Sequence, residues 1–186
     1  MATIGRTSLI ALVLIAIVIG WQVSQTPGSE RGRLILPENA PDLYIEQPVQ
    51  TRFNTLGQPT MRASAEALSF YESSGESLMT QPIMVLMSNP DALWQITSEH
   101  AILYDDGSAD FERDVAVIEL NTPQGMQLYT DWLRVEQNGR FVTTPRPVRL
   151  IQPGQEATGV GMDAFLTGED SELTLKSEVS IRYDAN

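Results

Sequence analysis

No cysteine occurs among the 186 residues. That excludes disulfides, thiolate nucleophiles, cysteine-based metal sites and an anchor built on an acylated cysteine. Only one histidine is present, His100. A catalytic or metal-binding histidine needs partners, and Glu99 alone does not supply them, so His100 reads as a structural or surface residue. Basic residues are scarce: 12 Lys and Arg stand against 24 Asp and Glu, for a net charge of −12. Binding to nucleic-acid phosphate needs clustered cations, so a nucleic-acid partner is not expected. The acidity also disfavours close adsorption to anionic headgroups. No Gly-rich phosphate loop followed by Lys is present, and no Gly-x-Ser-x-Gly elbow. Ser73-Ser74-Gly75 is therefore a turn. Asp105, Asp106 and Asp110 surround Gly107 without the spacing of a calcium loop, and a hairpin turn accounts for them. The sequence offers no constellation for catalysis, cofactor or metal, and a non-enzymatic role is expected.

What the chain does contain is an apolar N-terminal block. From Thr7 to Val23 there is no charged residue, and Leu9 to Ile19 is almost purely aliphatic. About 20 helical residues cross a hydrocarbon core of ~30 Å, so residues 7–23 predict a transmembrane signal anchor at the short end of that range. Leu9, Leu12, Leu14 and Ile17 would face lipid, with Trp21 as an interfacial aromatic. The competing reading, a cleaved signal peptide, lacks a small-x-small site after the run. Arg6 and the α-amino group place residues 1–6 in the cytoplasm by the positive-inside rule. Residues 24–41 hold Pro27, Gly28, Gly32, Pro37 and Pro41 and read as a linker.

The remainder, residues 42–186, is built of repeats. Met61–Leu68, Trp94–Ala101, Met126–Leu133 and Ala157–Ala164 align without gaps, with starts 33, 32 and 31 residues apart. Second alternating runs follow at Ile83–Met87, Val115–Leu120, Val148–Ile151 and Val179–Tyr183. Inside each segment the period is two: Trp94, Ile96 and Ser98 oppose Gln95, Thr97 and Glu99. Such alternation marks strands with one buried face. Turn residues fall where hairpins need them, at 73–75, 105–108, 137–139 and 168–171. Units of ~32 residues cannot bury an apolar face alone and must stack. The expectation is an all-β, two-sheet stack with open ends, enclosing one lengthwise apolar cavity and leaving strand edges free.

With anchor, linker and repeats together, the sequence resembles the LptC family of lipopolysaccharide-export proteins. The resemblance is carried by Phe53–Gly57 leading into Met61–Leu68, by Leu78–Pro82, by Trp94–Ala101 and by Ala157–Leu166. It implies an open-ended antiparallel β-jellyroll, related to the bridge protein LptA, on a single-pass inner-membrane anchor with the bulk of the chain periplasmic. It implies that the protein receives lipopolysaccharide from the inner-membrane ABC transporter LptBFG and passes it to LptA, with a homodimer left open. The alternative is an anchored scaffold that assembles these partners without touching lipid. For acyl contact the inward candidates are Trp94, Ile96, Met126, Leu128, Met162 and Ala164, with Met79, Ile83 and Val85 added. Ordinary packing between sheets is the plainer account of each. For partner contact the candidates are Phe53 within the docking stretch 42–53, Gly159 in a segment tied to transporter assembly, and the C-terminal edge residues Leu173, Leu175, Val179, Ile181 and Tyr183. Gly159 and Gly161 also mark a bulge or a close backbone approach.

Overall fold

The computed structural model describes residues 40–89, 92–122, 125–136, 139, 141–166 and 172–183. The expected anchor and most of the linker, with Leu9, Leu12, Leu14, Ile17 and Trp21, lie outside them. Among the described residues no helix is long and apolar enough to cross a membrane. The unit that begins at Pro41 is all β. Its strands are β1 (Leu43–Glu46), β2 (Val49–Phe53), β3 (Pro59–Ser64), β4 (Ala67–Tyr71), β5 (Glu76–Thr80), β6 (Ile83–Asn89), β7 (Ala92–Thr97), β8 (His100–Leu103), β9 (Ala109–Glu119), β10 (Gln127–Glu136), β11 (Phe141–Gln152), β12 (Gln155–Phe165) and β13 (Leu173–Tyr183).

These strands form two layers that share one continuous antiparallel hydrogen-bond network. The first layer runs β2-β3-β6-β7 and the second runs β1-β4-β5-β8. They join at β9, whose residues 116–119 pair with β7 while residues 109–112 pair with β8. From β10 to β13 each long strand contributes one half to each layer and shifts register in the middle, as at Thr130/Trp132 and Thr144/Pro147. The short strands β1 to β8 make the same bend through breaks. Gln47 and Gln81 take positive φ of 50° just before Pro48 and Pro82, and Arg113, Asp114 and Glu178 take 62°, 48° and 51°. A left-handed conformation costs a non-glycine residue about 1–2 kcal/mol, and hydrogen bonds across the bend offset it. Gln47 N–H donates to Glu66 O at 2.8 Å, Glu66 N–H to Thr80 O at 2.9 Å, Gln81 N–H to Glu99 O at 2.8 Å and Glu99 N–H to Arg113 O at 3.0 Å. Buried hydroxyls brace the same row: Ser98 Oγ donates to the His100 carbonyl at 2.6 Å, and Thr130 Oγ1 to the Pro147 carbonyl at 2.9 Å.

Each bend resets which side chains point inward. In β10 the buried positions are Leu128 and Thr130 before the bulge and Leu133 and Val135 after it. The two inner faces meet in one core that includes Leu86, Trp94, Ile96, Phe111, Leu133, Val142 and Met162. The lips of the layers also touch: a Cβ on Gly139, which has φ +91°, would collide with the Leu86 side chain. Among the described residues, the stack ends at β1 and β2 on one side and at β13 on the other, each with a margin that no other described strand pairs.

Two ion-pair staples on the outer face tie the last strands together. Asp163 on β12 accepts from Lys176 Nζ of β13 at 2.8 Å and from Thr143 Oγ1 of β11 at 2.7 Å. Glu156 on β12 accepts from Arg149 Nε of β11 at 2.6 Å, with Arg182 of β13 at 4.0 Å. The Lys176 bond first, then Thr143, holds the Asp163 carboxyl below its ordinary range, and Arg149 does the same for Glu156. A carboxyl depressed in the folded state stabilises above its unfolded pKa, and that contribution is lost as pH falls through the folded value. Acidification below about pH 4.5 should therefore loosen β13 first, with little change between pH 6 and 8. Amide hydrogen exchange across a pH series checks this. Uniform exchange over β9 to β13 as pH falls would contradict it.

Candidate lipid-binding interior and free edges

The interior is packed in its middle and hollow at its ends. At the C-terminal end, Met126, Leu150, Ala157, Leu173, Leu175 and Val179 line a recess of about 520 Å³, with Gln152 and Gln155 at its rim. At the N-terminal end, Met61, Ala63, Met84 and Val135 line a recess of about 310 Å³, joined by Gln50 and Arg52 from β2. Between them Ile96, Leu133 and Met162 are fully buried and Leu86 and Val142 nearly so. The expected single lengthwise cavity is thus corrected to two end recesses separated by a packed centre. Apolar faces brought together pack to crystal-like density, and here the small gap between layers lets Leu and Met side chains meet.

The inward candidates divide by position. Trp94, Ile96, Leu128, Met162, Ala164 and Met79 are all buried in the core, and Met126 is half-buried in the wall of the C-terminal recess. Ile83 and Val85 are not on the inner face. Met84 and Leu86 are buried there instead, while Ile83 is 43% exposed. The bend at Gln81 shifts the alternation, so steps of two counted from Met79 arrive on the wrong face of β6. His100 opens β8 as an exposed residue.

The Trp94 ring is buried, and its Nε1 has no hydrogen-bond partner among the described residues. An unsatisfied buried donor costs about 1–3 kcal/mol, whereas the volume lost on going to Phe costs about 1 kcal/mol at ~24 cal/mol per Å³. Trp94→Phe should therefore leave stability within about 1 kcal/mol of the parent, while Trp94→Ala should cost about 3–5 kcal/mol. Urea unfolding of the two variants distinguishes these cases. A Phe variant as damaged as the Ala variant would show that the indole N–H is satisfied in solution.

The partner-binding candidates lie at or beside the free margins. Phe53 ends edge strand β2 and is exposed, as are Leu43, Tyr44 and Ile45 on β1. On β13, Leu173 and Leu175 are half-buried, while Val179, Ile181 and Tyr183 are exposed. Ile181 opposes Ala157 and Tyr183 opposes Gln155, so all three share the face that lines the C-terminal recess. Gly159 is buried one strand in, where a Cβ would stand 3.2 Å from the Ser177 carbonyl oxygen and 3.4 Å from Leu175 Cβ. Its bareness lets β13 lie close to β12. Leu150 and Ala157 in one recess, and Gln50 and Arg52 in the other, were not among the expected site residues. The alternation of 148–151 and 157–164 held the signal for the first pair, but nothing marked 49–53 as a strand with Arg52 inside.

Near the N-terminal recess lies a polar cluster. Arg134 bonds Asp110 at 3.3 Å and Glu136 at 3.0 Å, donates to Ser108 Oγ at 3.2 Å, and lies 5.3 Å from the centre of the Tyr104 ring. Tyr104 donates its hydroxyl to Asp110 at 2.9 Å. Burial, then the bond to Asp110, raises the Tyr104 pKa. The Ser108 hydroxyl, then its backbone N–H, lowers that of Asp106. The network fixes the turn between β8 and β9 at the mouth of the recess.

Comparison with known proteins gives three findings. The family model described as lipopolysaccharide-assembly, LptC-related, matches residues 9–184. No curated protein matches the chain in sequence. Among solved structures, LptH of Pseudomonas aeruginosa, the LptA-homologous periplasmic component of a lipopolysaccharide transport device, is similar with a TM-score of 0.51 at 10% identity, over 67% of this chain and 95% of that one. That likeness concerns the fold.

Proposed function

The chain belongs to the LptC-related family of lipopolysaccharide-assembly proteins, and on that premise we propose that it receives lipopolysaccharide from the inner-membrane transporter LptBFG and passes it to an LptA-type bridge. The family is one of non-enzymatic, periplasm-facing proteins, and lipopolysaccharide transport is its general function. The finer reading includes a single-pass anchor at residues 7–23 with the N-terminus cytoplasmic, and a homodimer is a further state to test. One observation carries the proposal: recesses open at both ends of the stack, the C-terminal one largely apolar and the N-terminal one mixing apolar and polar walls, each beside a strand margin that no other described strand pairs. Acyl chains need such shielding, since each CH₂ kept from water is worth about 0.8 kcal/mol. Strand margins offer backbone hydrogen bonds to a neighbouring sheet, which could continue the apolar interior into the next subunit.

Photocrosslinking in cells tests it. Probes at Met84, Met126 and Leu150 should capture lipopolysaccharide, and a probe at the outward Ile83 should not. Probes at Leu43 and Tyr183 should capture protein neighbours. Protein adducts without any lipid adduct from the inner face would leave the scaffold alternative standing and remove the conduit.

A further inference from the structure

The outward side of the first layer departs from the chemistry of the rest of the domain. The chain carries a net charge of −12. Exposed or half-exposed carboxylates stand on the turns (Asp105, Asp106), at the bends (Glu99, Asp114, Glu178) and on the outward side of the second layer (Glu112). The first layer shows aliphatic side chains instead. Ile83 is 43% exposed, and Val85, Met87, Leu93 and Ile118 are half-buried, all outward because they alternate with core residues such as Met84, Leu86, Trp94 and Val117. A contiguous apolar patch on an outer surface marks a contact site. Register orders this patch into a row whose two sides mirror each other, since directly opposed residues share a face of the sheet. Ile118 of β9 stands in the middle, with Gln95 of β7 on one side and Gln127 of β10 on the other. Beyond these come Val85 of β6 and Ile151 of β11, and beyond those Arg62 of β3 and Glu156 of β12. Counted outward from Ile118, the row reads amide, aliphatic, charge in both directions, and the two charges are of opposite sign. Glu119, on the same layer, opposes Trp94 and so turns inward.

We propose that this face docks a second copy of the chain, sheet on sheet, about a two-fold axis that runs along β9 at Ile118. An axis lying between the two sheets and parallel to the strands reverses strand order while keeping the row. Ile118 then meets Ile118, Gln95 meets Gln127, Val85 meets Ile151 and Arg62 meets Glu156, with the last three contacts made twice as isologous pairing requires. Packed sheets cross at about 30°, and the long Arg62 side chain spans the offset this opens at the flank. Arg62 is exposed and forms no ion pair among the described residues, while Glu156 is held in place by Arg149. Opposite charges across an interface fix register more than they add affinity, so the aliphatic centre holds the pair and the flanks align it. Two acidic domains repel each other, and on this face their carboxylates do not confront one another. The pairing goes beyond the conduit reading and is independent of it, because the margins of β1, β2 and β13 and both recesses are left clear.

The test uses the full-length chain, purified in detergent with micelles in excess. Since the chain has no cysteine, single thiols report one position each. Ile118→Cys should crosslink to itself through a bis-maleimide of about 10 Å reach, the spacing of packed sheets. Val85→Cys should not, because four strand spacings of ~4.8 Å separate the two copies of that residue, yet it should crosslink to Ile151→Cys when the two variants are mixed. In sedimentation equilibrium Ile118→Arg should lose the dimer with an unchanged unfolding midpoint, and Arg62→Glu should weaken it about ten-fold by placing like charges together. If Ile118→Arg lowers the midpoint, Arg62→Glu at its exposed site decides alone. A parent that stays monomeric at every concentration, or a dimer that neither substitution weakens, would overturn the assignment. So would a Tyr183→Cys crosslink in place of the Ile118→Cys one, which would make the dimer edge to edge, or a photocrosslinker at Ile118 that captures only lipid, which would make the face a membrane surface. Lipid capture by a probe at Leu150 reports the conduit separately: a parent that dimerises through Ile118 but captures no lipid leaves this assignment standing and removes the conduit.

Discussion

Replacing Leu133 by Ala should cost about 3–5 kcal/mol, the range for a fully enclosed leucine whose surroundings cannot collapse. Leu133 has no exposed surface. It sits just past the bulge of β10, opposes Phe111 on β9, and shares the core with Val142 and Met162. Domains of this size are stable by about 5–15 kcal/mol in total, so the loss is a large fraction of the whole. In thermal unfolding it should appear as a fall of roughly 10 °C in midpoint. Exposed Leu56, at 81%, serves as the control, and its replacement by Ala should change stability by no more than about 0.5 kcal/mol. A Leu133→Ala protein that unfolds with its parent would mean that the centre is loosely filled in solution.

The second large effect separates the packed centre from the hollow ends by making one substitution at two places. Ala157 lines the C-terminal recess of about 520 Å³, whereas Ala164 is 3% exposed and enclosed by core side chains. Ala157→Trp has space beside it. It should fold with a near-normal midpoint and reduce lipid crosslinking at Leu150 at least ten-fold, because the indole occupies the volume an acyl chain would take. Ala164→Trp has no such space. Overpacking of this kind costs about 1–3 kcal/mol or more, so that variant should lose stability first and lipid capture only as a result. Unfolding midpoints and crosslink yields from the same preparations decide the matter. Full lipid capture by a folded Ala157→Trp protein would show that the recess is not on the lipid's path.

Much of this architecture could be read from the chain because the first layer keeps its alternation for several residues at a stretch. Trp94 and Ile96, then Leu128 and Thr130, are buried as their period of two requires. The turns at 73–75 and 105–108 also fall between strands, as their Gly and Asp content predicts. What the chain concealed was the bending. A residue such as Gln81 carries no mark of its left-handed backbone, which is stabilised by a carbonyl from Glu99, distant in sequence. Ile83 and Val85 were consequently placed inside when Met84 and Leu86 belong there. The packed centre was hidden for a related reason, since alternation shows which faces turn inward but not how closely two faces approach. Arg52 escaped notice because a charged residue in a short strand reads as outward. Only its pairing with Met61 turns it inside.

The bends also constrain how this protein can change length. Removing one residue at Gln81 would carry the whole of β6 into the opposite phase, offering Ile83 and Val85 to the centre and Met84 and Leu86 to water. The same deletion in the loop containing Leu56 and Gly57, where a Cβ on the glycine would meet nothing, would be absorbed locally. Homologous chains should therefore gain and lose residues at the hairpin tips while preserving the count between successive bends, a ruler built into the backbone and not into any one side chain.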